Sequence, residues 1–323
     1  MRIFQAYFAA VKPKCNFQTK SDMKKSSLTI ITLLAAILIP ALCSGKITRR
    51  KISIFRPTVP ESTVISQKPG TLEFVYDYSF SVNPSAETDG ERESDRMLLQ
   101  IAPDGLSKFT SLTNITVDSI IMNTSLEQRV EAITNGQLKK GESMNVFKNY
   151  PDQGKMTNTE IVCEDWFRYE EEMPEFDWVL TDSVRNILGY ECKGARCTFR
   201  GRDWEVFYAE DIPVTEGPWK LCGLPGLIIQ AKADGDEYSF VCIGIKNNSQ
   251  RPISIYDVPY NKTSRLGFYD AKHRYDINPY SYFEASGGGK VTVTDENGNP
   301  MPGAYDPVEL PFDYIEKDWR ERK

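Results

Sequence analysis

The sequence predicts a mainly β protein with helix as a minor part. The expected architecture is a single antiparallel, strongly curved sheet or half-open barrel with one or two packed helices. Three observations predict this. Sixteen Tyr, sixteen Phe and five Trp favour strands. From residue 71 onward, apolar and polar residues alternate with a period of two. The strand-like runs also follow one another across short turns with little helix between them, the pattern of an antiparallel meander.

The chain has 323 residues, enough for a large core, and its 40% hydrophobic and 26% charged content is that of an ordinary globular protein. A net charge of −6, from 45 acidic and 39 basic residues, argues against nucleic acid as the main partner.

The N-terminal region reads as an export signal. Met23-Lys24-Lys25 gives a positive start, and Leu28 to Ile39 gives an apolar run too short for a membrane span. Ala41 and Cys43 place small residues before a cut after Cys43, with Gly45 as the alternative. Leu42, where a lipid-attachment site needs a small residue, argues against lipidation at Cys43. The organisation expected is an upstream extension (1–22), a signal peptide (23–45), a linker (46–70), one β-rich domain (71–312) and a charged tail (313–323). The linker carries Lys46, Arg49, Arg50 and Lys51, then Pro57, Pro60 and Pro69. Export places the protein in the periplasm or at the outer membrane.

Export also permits disulfides among Cys163, Cys192, Cys197, Cys222 and Cys242, with the pairing open and one thiol left over. Cys192 and Cys197 are five apart, so on a regular strand they face opposite sides, and only a bulge would bring them together. No C-x-x-C pair exists, and the lone His273 lies far off, so no metal site is expected.

In order, Leu72 to Val82 reads as the first strand, with Phe74, Tyr76, Tyr78 and Phe80 on one face. Met97 to Ile101 and Leu106 to Leu112 form a hairpin across Pro103-Asp104-Gly105. Thr124-x-x-Glu127 is a capping box for a helix bearing Leu126, Val130 and Ile133, stopped by Asn135-Gly136. Two strands, Met144–Tyr150 and Met156–Tyr169, flank the turn at Pro151. The acidic stretch Glu164 to Asp177 has no calcium-loop pattern and reads as a solvated loop. Trp178–Leu180, Ile187–Phe199, Trp204–Ala209, Leu227–Ala233 and Tyr238–Ile245 follow as strands. Ser264 to Asp276 is a second helix ended by Asn278-Pro279, and Lys290–Thr294 with Asn297-Gly298 suggests a late hairpin.

One loop stands apart: Glu216-Gly-Pro-Trp-Lys-Leu-Cys-Gly-Leu-Pro-Gly-Leu-Ile228. Gly223 and Gly226 allow φ > 0, and Pro218 and Pro225 fix φ near −65°. It reads as a rigid corner between strands, with Trp219 plugging the sheet.

The segment from about Phe176 to Lys246 resembles the GLPGLI family of secreted bacterial proteins. The hexamer Gly223-Leu224-Pro225-Gly226-Leu227-Ile228 carries the resemblance, together with Gly189-Tyr190-x-Cys192, Gly201-Arg202-x-Trp204, Tyr208-x-x-Asp211-Ile212-Pro213 and Gly217-Pro218-Trp219-Lys220. The closing Asp306-Pro307-Val308-Glu309-Leu310 is similar to the family's C-terminal motif. The resemblance implies an exported protein of Gram-negative envelopes, sometimes encoded beside TonB-dependent outer-membrane proteins, and supplies no catalytic residues. Cys197 and Cys222 stand where the family does not usually carry Cys.

The catalytic inventory is thin. Any Ser/His/Asp or Cys/His machine must pass through His273, and no nucleophile, zincin, P-loop or dinucleotide motif appears. The expectation is therefore non-catalytic binding, without a cofactor, of a lipid or other apolar ligand or of an envelope partner. The alternatives are a scaffold for a TonB-dependent outer-membrane system, and a hydrolase built from two carboxylates about 5–10 Å apart.

Overall fold

The structure, a computed structural model, describes residues 14–18, 64–69, 72–82, 92–125, 128, 141–163, 165–287, 290–294, 299 and 306–320. Among the described residues 48% are strand and there are three α-helices, so the mainly β class holds. The early strands are β1 (Lys14–Gln18), β2 (Val64–Pro69), β3 (Leu72–Ser81), β4 (Arg92–Ile101), β5 (Ser107–Ser111), β6 (Asn145–Lys148), β7 (Lys155–Val162) and β8 (Asp165–Glu172). After them come β9 (Val179–Ile187), β10 (Tyr190–Phe199), β11 (Arg202–Ala209), β12 (Leu227–Ala233), β13 (Tyr238–Asn247), β14 (Pro252–Tyr256), β15 (Asn261–Lys262) and β16 (Lys290–Thr294). The helices are α1 (Leu112–Met122), α2 (Arg265–Ile277) and α3 (Pro279–Ala285).

The described residues fall into two compact units. The larger takes in Pro57–Ile161, Asp165–Tyr269 and Pro311–Lys323. Its main sheet has twelve strands in the order β15-β8-β7-β6-β5-β4-β3-β13-β12-β11-β10-β9 and is not closed. The expectation of a purely antiparallel sheet is corrected at one edge, where β15 pairs parallel with β8 (Asn261 opposite Phe167). Every other pairing with a defined register is antiparallel.

The centre of this sheet follows from the period-two pattern. Phe74, Tyr76, Tyr78 and Phe80 on β3 are fully buried, whereas Asp77 between them is exposed. Tyr238, Phe240 and Cys242 of β13 continue the same buried face, and the Tyr78 ring stacks on Phe240 at 4.8 Å. Such cross-strand aromatic contacts add roughly 0.5–1.5 kcal/mol each beyond area burial.

Three elements differ from the sequence expectation. Residues 64–69, assigned to the linker, form β2, which pairs with β14. Leu112–Met122 is helical and starts where β5 ends, because the Ser111 hydroxyl accepts the amide hydrogen of Asn114 and caps it. The helix expected from the Thr124 capping box lies almost wholly outside the described residues. Glu170 to Glu172 belong to strand β8 and not to a solvated loop.

The smaller unit takes in Met1–Arg56, Val162–Glu164 and Asp270–Leu310. Here β16 is antiparallel to β1, so the late strand pairs with the beginning of the chain. Asn297-Gly298, the expected hairpin turn, lies outside the described residues. Helix α2 matches its expected span, its residues from Asp270 onward falling in this unit and its start, where Ser264 accepts from the Gly267 amide, in the larger one. Asn278-Pro279 ends α2 and also begins α3: Asn278 is the N-cap and Pro279 fills the first turn, where its missing N–H costs nothing.

Candidate functional site

The glycine- and proline-rich loop is a rigid corner, and a lysine that reads as a surface residue holds it. Lys148, on β6, is fully buried. Its ammonium donates to Glu216 Oε2 at 2.7 Å, to the Gly217 carbonyl at 3.0 Å and to the Leu221 carbonyl at 2.9 Å. Three donors meet three acceptors, so the buried charge is paired and its hydrogen bonds are complete. Glu216 also bridges to Cys222 in backbone pairing, pinching the loop, and the Trp178 indole donates to the Cys222 carbonyl.

Each unusual residue of the corner has a local cause. Trp219 has φ 53° and Gly223 φ 91°, the left-handed region. Trp219 stacks on Trp204 at 5.4 Å and meets Phe199 edge-on at 5.6 Å. Gly226 is required by space: an added Cβ would lie 2.2 Å from the Ala209 carbonyl oxygen. Gly217 is similarly closed in by Ile228 and the Leu221 carbonyl. Leu224, Leu227 and Ile228 are buried in the main core, and the Ile228 carbonyl accepts from Tyr76 Oη at 2.7 Å.

The remaining motif residues organise the neighbouring strands. Gly189 (φ 86°) turns β9 into β10, and Gly201 (φ 74°) turns β10 into β11. Tyr190 packs against the core, and Trp204 and Cys192 lie within it. Arg202 is fully buried and holds the C-terminal segment. It donates to the carbonyls of Tyr314 (2.7 Å) and Ile315 (3.0 Å) and to Asp234 (2.6 Å) and Glu237 (2.7 Å), and stacks 4.5 Å over Tyr238. Residues 313–320 are therefore built into the unit, although their charges mark them as a tail: Tyr314, Ile315, Glu316 and Trp319 are all buried.

Near this segment lies the densest charge cluster of the larger unit. Glu171 of β8, Glu316 and Asp318 face Arg200, Lys220 and Arg265. Lys220 Nζ is 2.5 Å from Glu171 and 2.6 Å from Glu316. Arg200 also pairs with Glu171. Arg265 contacts Glu316 and Asp318 at 2.7 Å each. Burial pushes the Glu316 carboxyl up, but Lys220, Arg200 and Arg265 outweigh it and hold it below the usual range. Burial likewise raises the Tyr169 hydroxyl well above its usual value, and Glu316 and Glu171 add to that.

Glu171 and Glu316 share one ammonium, which puts their nearest oxygens no more than about 5 Å apart, a spacing at which two carboxylates can serve glycoside hydrolysis. Both, however, are neutralised by cations, and Glu316 and Lys220 are closed to solvent. The arrangement is an internal network of paired charges in which each of the two carboxylates has cationic partners. His273 sits half-buried on α2, in the smaller unit.

Among the described residues, the five cysteines considered for disulfides form none with one another. Cys192, Cys197, Cys222 and Cys242 are buried, and Cys163 is half-buried after β7. A register shift between Lys193 and Ala195 puts Cys192 and Cys197 both on buried positions, the bulge that their odd spacing requires. Burial raises the Cys197 thiol to about 12 and that of Cys242 to about 11. Among the described residues, no three His, Cys, Asp or Glu side chains converge as metal ligands.

Sequence reasoning missed the buried Lys148–Glu216 pair and, separately, the connected set of Glu171, Lys220, Arg265 and Glu316. The one available signal was Lys220 inside an otherwise apolar motif.

No family model and no curated protein matches the chain. Among solved structures it is similar to PNGF-II in two crystal forms, P21 and C2, at 16% identity in both, with TM-scores of 0.40 and 0.39. These alignments cover 62% and 64% of this chain and 32% of the PNGF-II chain, so the chain spans about a third of that protein's length.

Proposed function

We propose that this is an exported cell-envelope protein with a non-catalytic role, docking an extended apolar segment of an envelope partner along β9. The observation that carries this reading is the distribution of exposed apolar side chains. Of the seven large exposed hydrophobics among the described residues, four are Val179 (65%), Leu180 (62%), Val184 (57%) and Leu188 (47%). They cluster on and just after the last strand of the twelve, which has a neighbour on one side only. An edge with open backbone groups and apolar side chains suits strand addition. The GLPGLI resemblance and the apolar run Leu28–Ile39 after Lys24-Lys25 support export, in which case a cut after Cys43 or Gly45 removes β1 and leaves β16 without that neighbour in the mature protein. The family context makes an outer-membrane protein of a TonB-dependent system the partner to test first.

A partner fits better than an apolar ligand. The aromatic face that a ligand would need is already covered by the protein's own Trp219, Leu221 and Leu224.

The sheet carrying this edge is a strongly curved half-barrel in our reading. Residues 173–178 alone join β8 to β9, yet ten inter-strand steps separate those strands in the sheet. Laid flat, ten steps span about 48 Å, whereas the connection reaches about 25 Å at most. Phe176, on that connection, packs against Phe199 of β10 at 4.6 Å.

Photo-crosslinking in intact cells tests the docking reading. A photoreactive amino acid at Val184 should give an adduct with one outer-membrane protein, and one at exposed Ile243 on β13 should not. No adduct at position 184, or the same adducts at both positions, would overturn it.

A further inference from the structure

We propose that Arg200, Lys220 and Arg265 form a carboxylate-recognition pocket that Glu316 of the C-terminal segment fills in cis, and whose ligand in trans is an acidic peptide with Glu-x-Asp spacing. The proposal stands apart from the β9 edge and does not depend on it.

Three cations converge on one carboxylate. Lys220 Nζ lies 2.6 Å, Arg265 Nη1 2.7 Å and Arg200 Nε 3.5 Å from Glu316 oxygens. The cations come from three separate pieces of the body: the turn after β10, the Trp219 loop and the start of α2. Their carboxylate comes from a segment that runs without strand pairing from Pro311 to Lys317. Two residues on, Asp318 accepts from both Nη atoms of Arg265, at 2.7 and 3.2 Å, the paired geometry by which arginine selects a carboxylate. The pocket thus reads two acids at fixed spacing.

Charge complementarity identifies the ligand. With Glu316 and Asp318 withdrawn, the body keeps three cations against Glu171 alone, a surplus of two positive charges. An incoming Glu-x-Asp segment supplies two negative charges and restores neutrality. The main chain of such a segment is recognised separately, since Arg202 donates to the carbonyls of Tyr314 and Ile315, and Tyr238 Oη to that of Asp313. Those contacts read no side chain, so they fix the direction of the peptide while the cations select its sequence.

The test uses the full chain carrying Glu316→Gln and Asp318→Asn, which preserves shape but removes both charges, and a fluorescent peptide with the sequence of residues 311–320. Fluorescence anisotropy should show saturable binding to the variant. It should also show roughly tenfold weaker binding to the wild-type chain, whose pocket is filled, and roughly tenfold weaker binding of a peptide with Gln and Asn at the two acidic places. No binding to the variant, or equal binding of the two peptides, overturns the proposal. If circular dichroism shows the variant unfolded, hydrogen exchange on the wild-type chain decides. Excess acidic peptide should speed exchange of the Tyr314 to Lys317 amides while the neutral peptide leaves it unchanged, and no difference between the peptides overturns the proposal.

Discussion

The Lys148 ammonium lies 2.9 Å from the Leu221 carbonyl, joining residues 73 positions apart through a fully buried charge. Through this contact, and those to Glu216 and Gly217, one strand holds the shape of a loop far along the chain. Lys148→Met should cost about 3–5 kcal/mol, because it leaves the Glu216 carboxylate buried without its partner. Adding Glu216→Gln should recover part of that loss. Urea unfolding of the two single variants and the double variant checks this, and strict additivity would show that the pair is not coupled.

The two glycines of the hexamer should behave differently. At Gly226 a new Cβ meets the Ala209 carbonyl oxygen at 2.2 Å, a backbone atom that cannot swing aside. At Gly223 the nearest atom is 3.8 Å away, and only the positive φ resists substitution, at about 1–2 kcal/mol. Gly226→Ala should therefore destabilise more than Gly223→Ala in thermal unfolding. The reverse order would mean that backbone conformation, and not space, sets the requirement at both.

Glu316 predicts a one-sided pH dependence. Its folded-state carboxyl is held below the unfolded value by Lys220, Arg200 and Arg265, against burial. Its contribution is therefore present above the unfolded value of about 4.3 and is lost as pH falls through the folded value. The stability gap between wild type and Glu316→Gln should shrink as pH is lowered below about 4.3 and stay flat from there to neutrality. A gap that grows on acidification would contradict the assignment.

The buried thiols should be inert in the folded protein. Burial raises Cys197 to about 12 and Cys242 to about 11, and raises Cys192 and Cys222 as well, so little thiolate exists near pH 8. Mass spectrometry after iodoacetamide treatment should find these four alkylated far more slowly in the native protein than in urea. Equal rates would place them at the surface.

Much of the fold was legible because burial on one face writes a period of two into the chain. Phe74 to Phe80 and Ile229 to Ala233 alternate in burial and were readable as strands. β9 was readable only at its ends: Thr181 to Asn186 lie at an edge with both faces open, so nothing constrains them to alternate. α1 was hidden because its start signal, Ser111, is also the last residue of a strand. The charge cluster was the least legible part. Glu171, Lys220 and Glu316 are apart in sequence by dozens of residues, and lysine and glutamate in isolation read as solvent-facing. Only the strand order, which no local pattern encodes, brings them together.

That order also sets when the sheet can be finished. β3 lies between β4 and β13, and its pairing with β13 runs from Phe80 opposite Tyr238 to Leu72 opposite Asn247. A chain made from its N-terminus can assemble β3 to β8 early by local pairing, but the aromatic face of β3 keeps one bare flank until residue 247 has emerged. Long-range pairing of this kind is slow, and a waiting strand edge is prone to wrong partners. Agents that shield nascent strands should therefore matter most during the interval between synthesis of β8 and of β13.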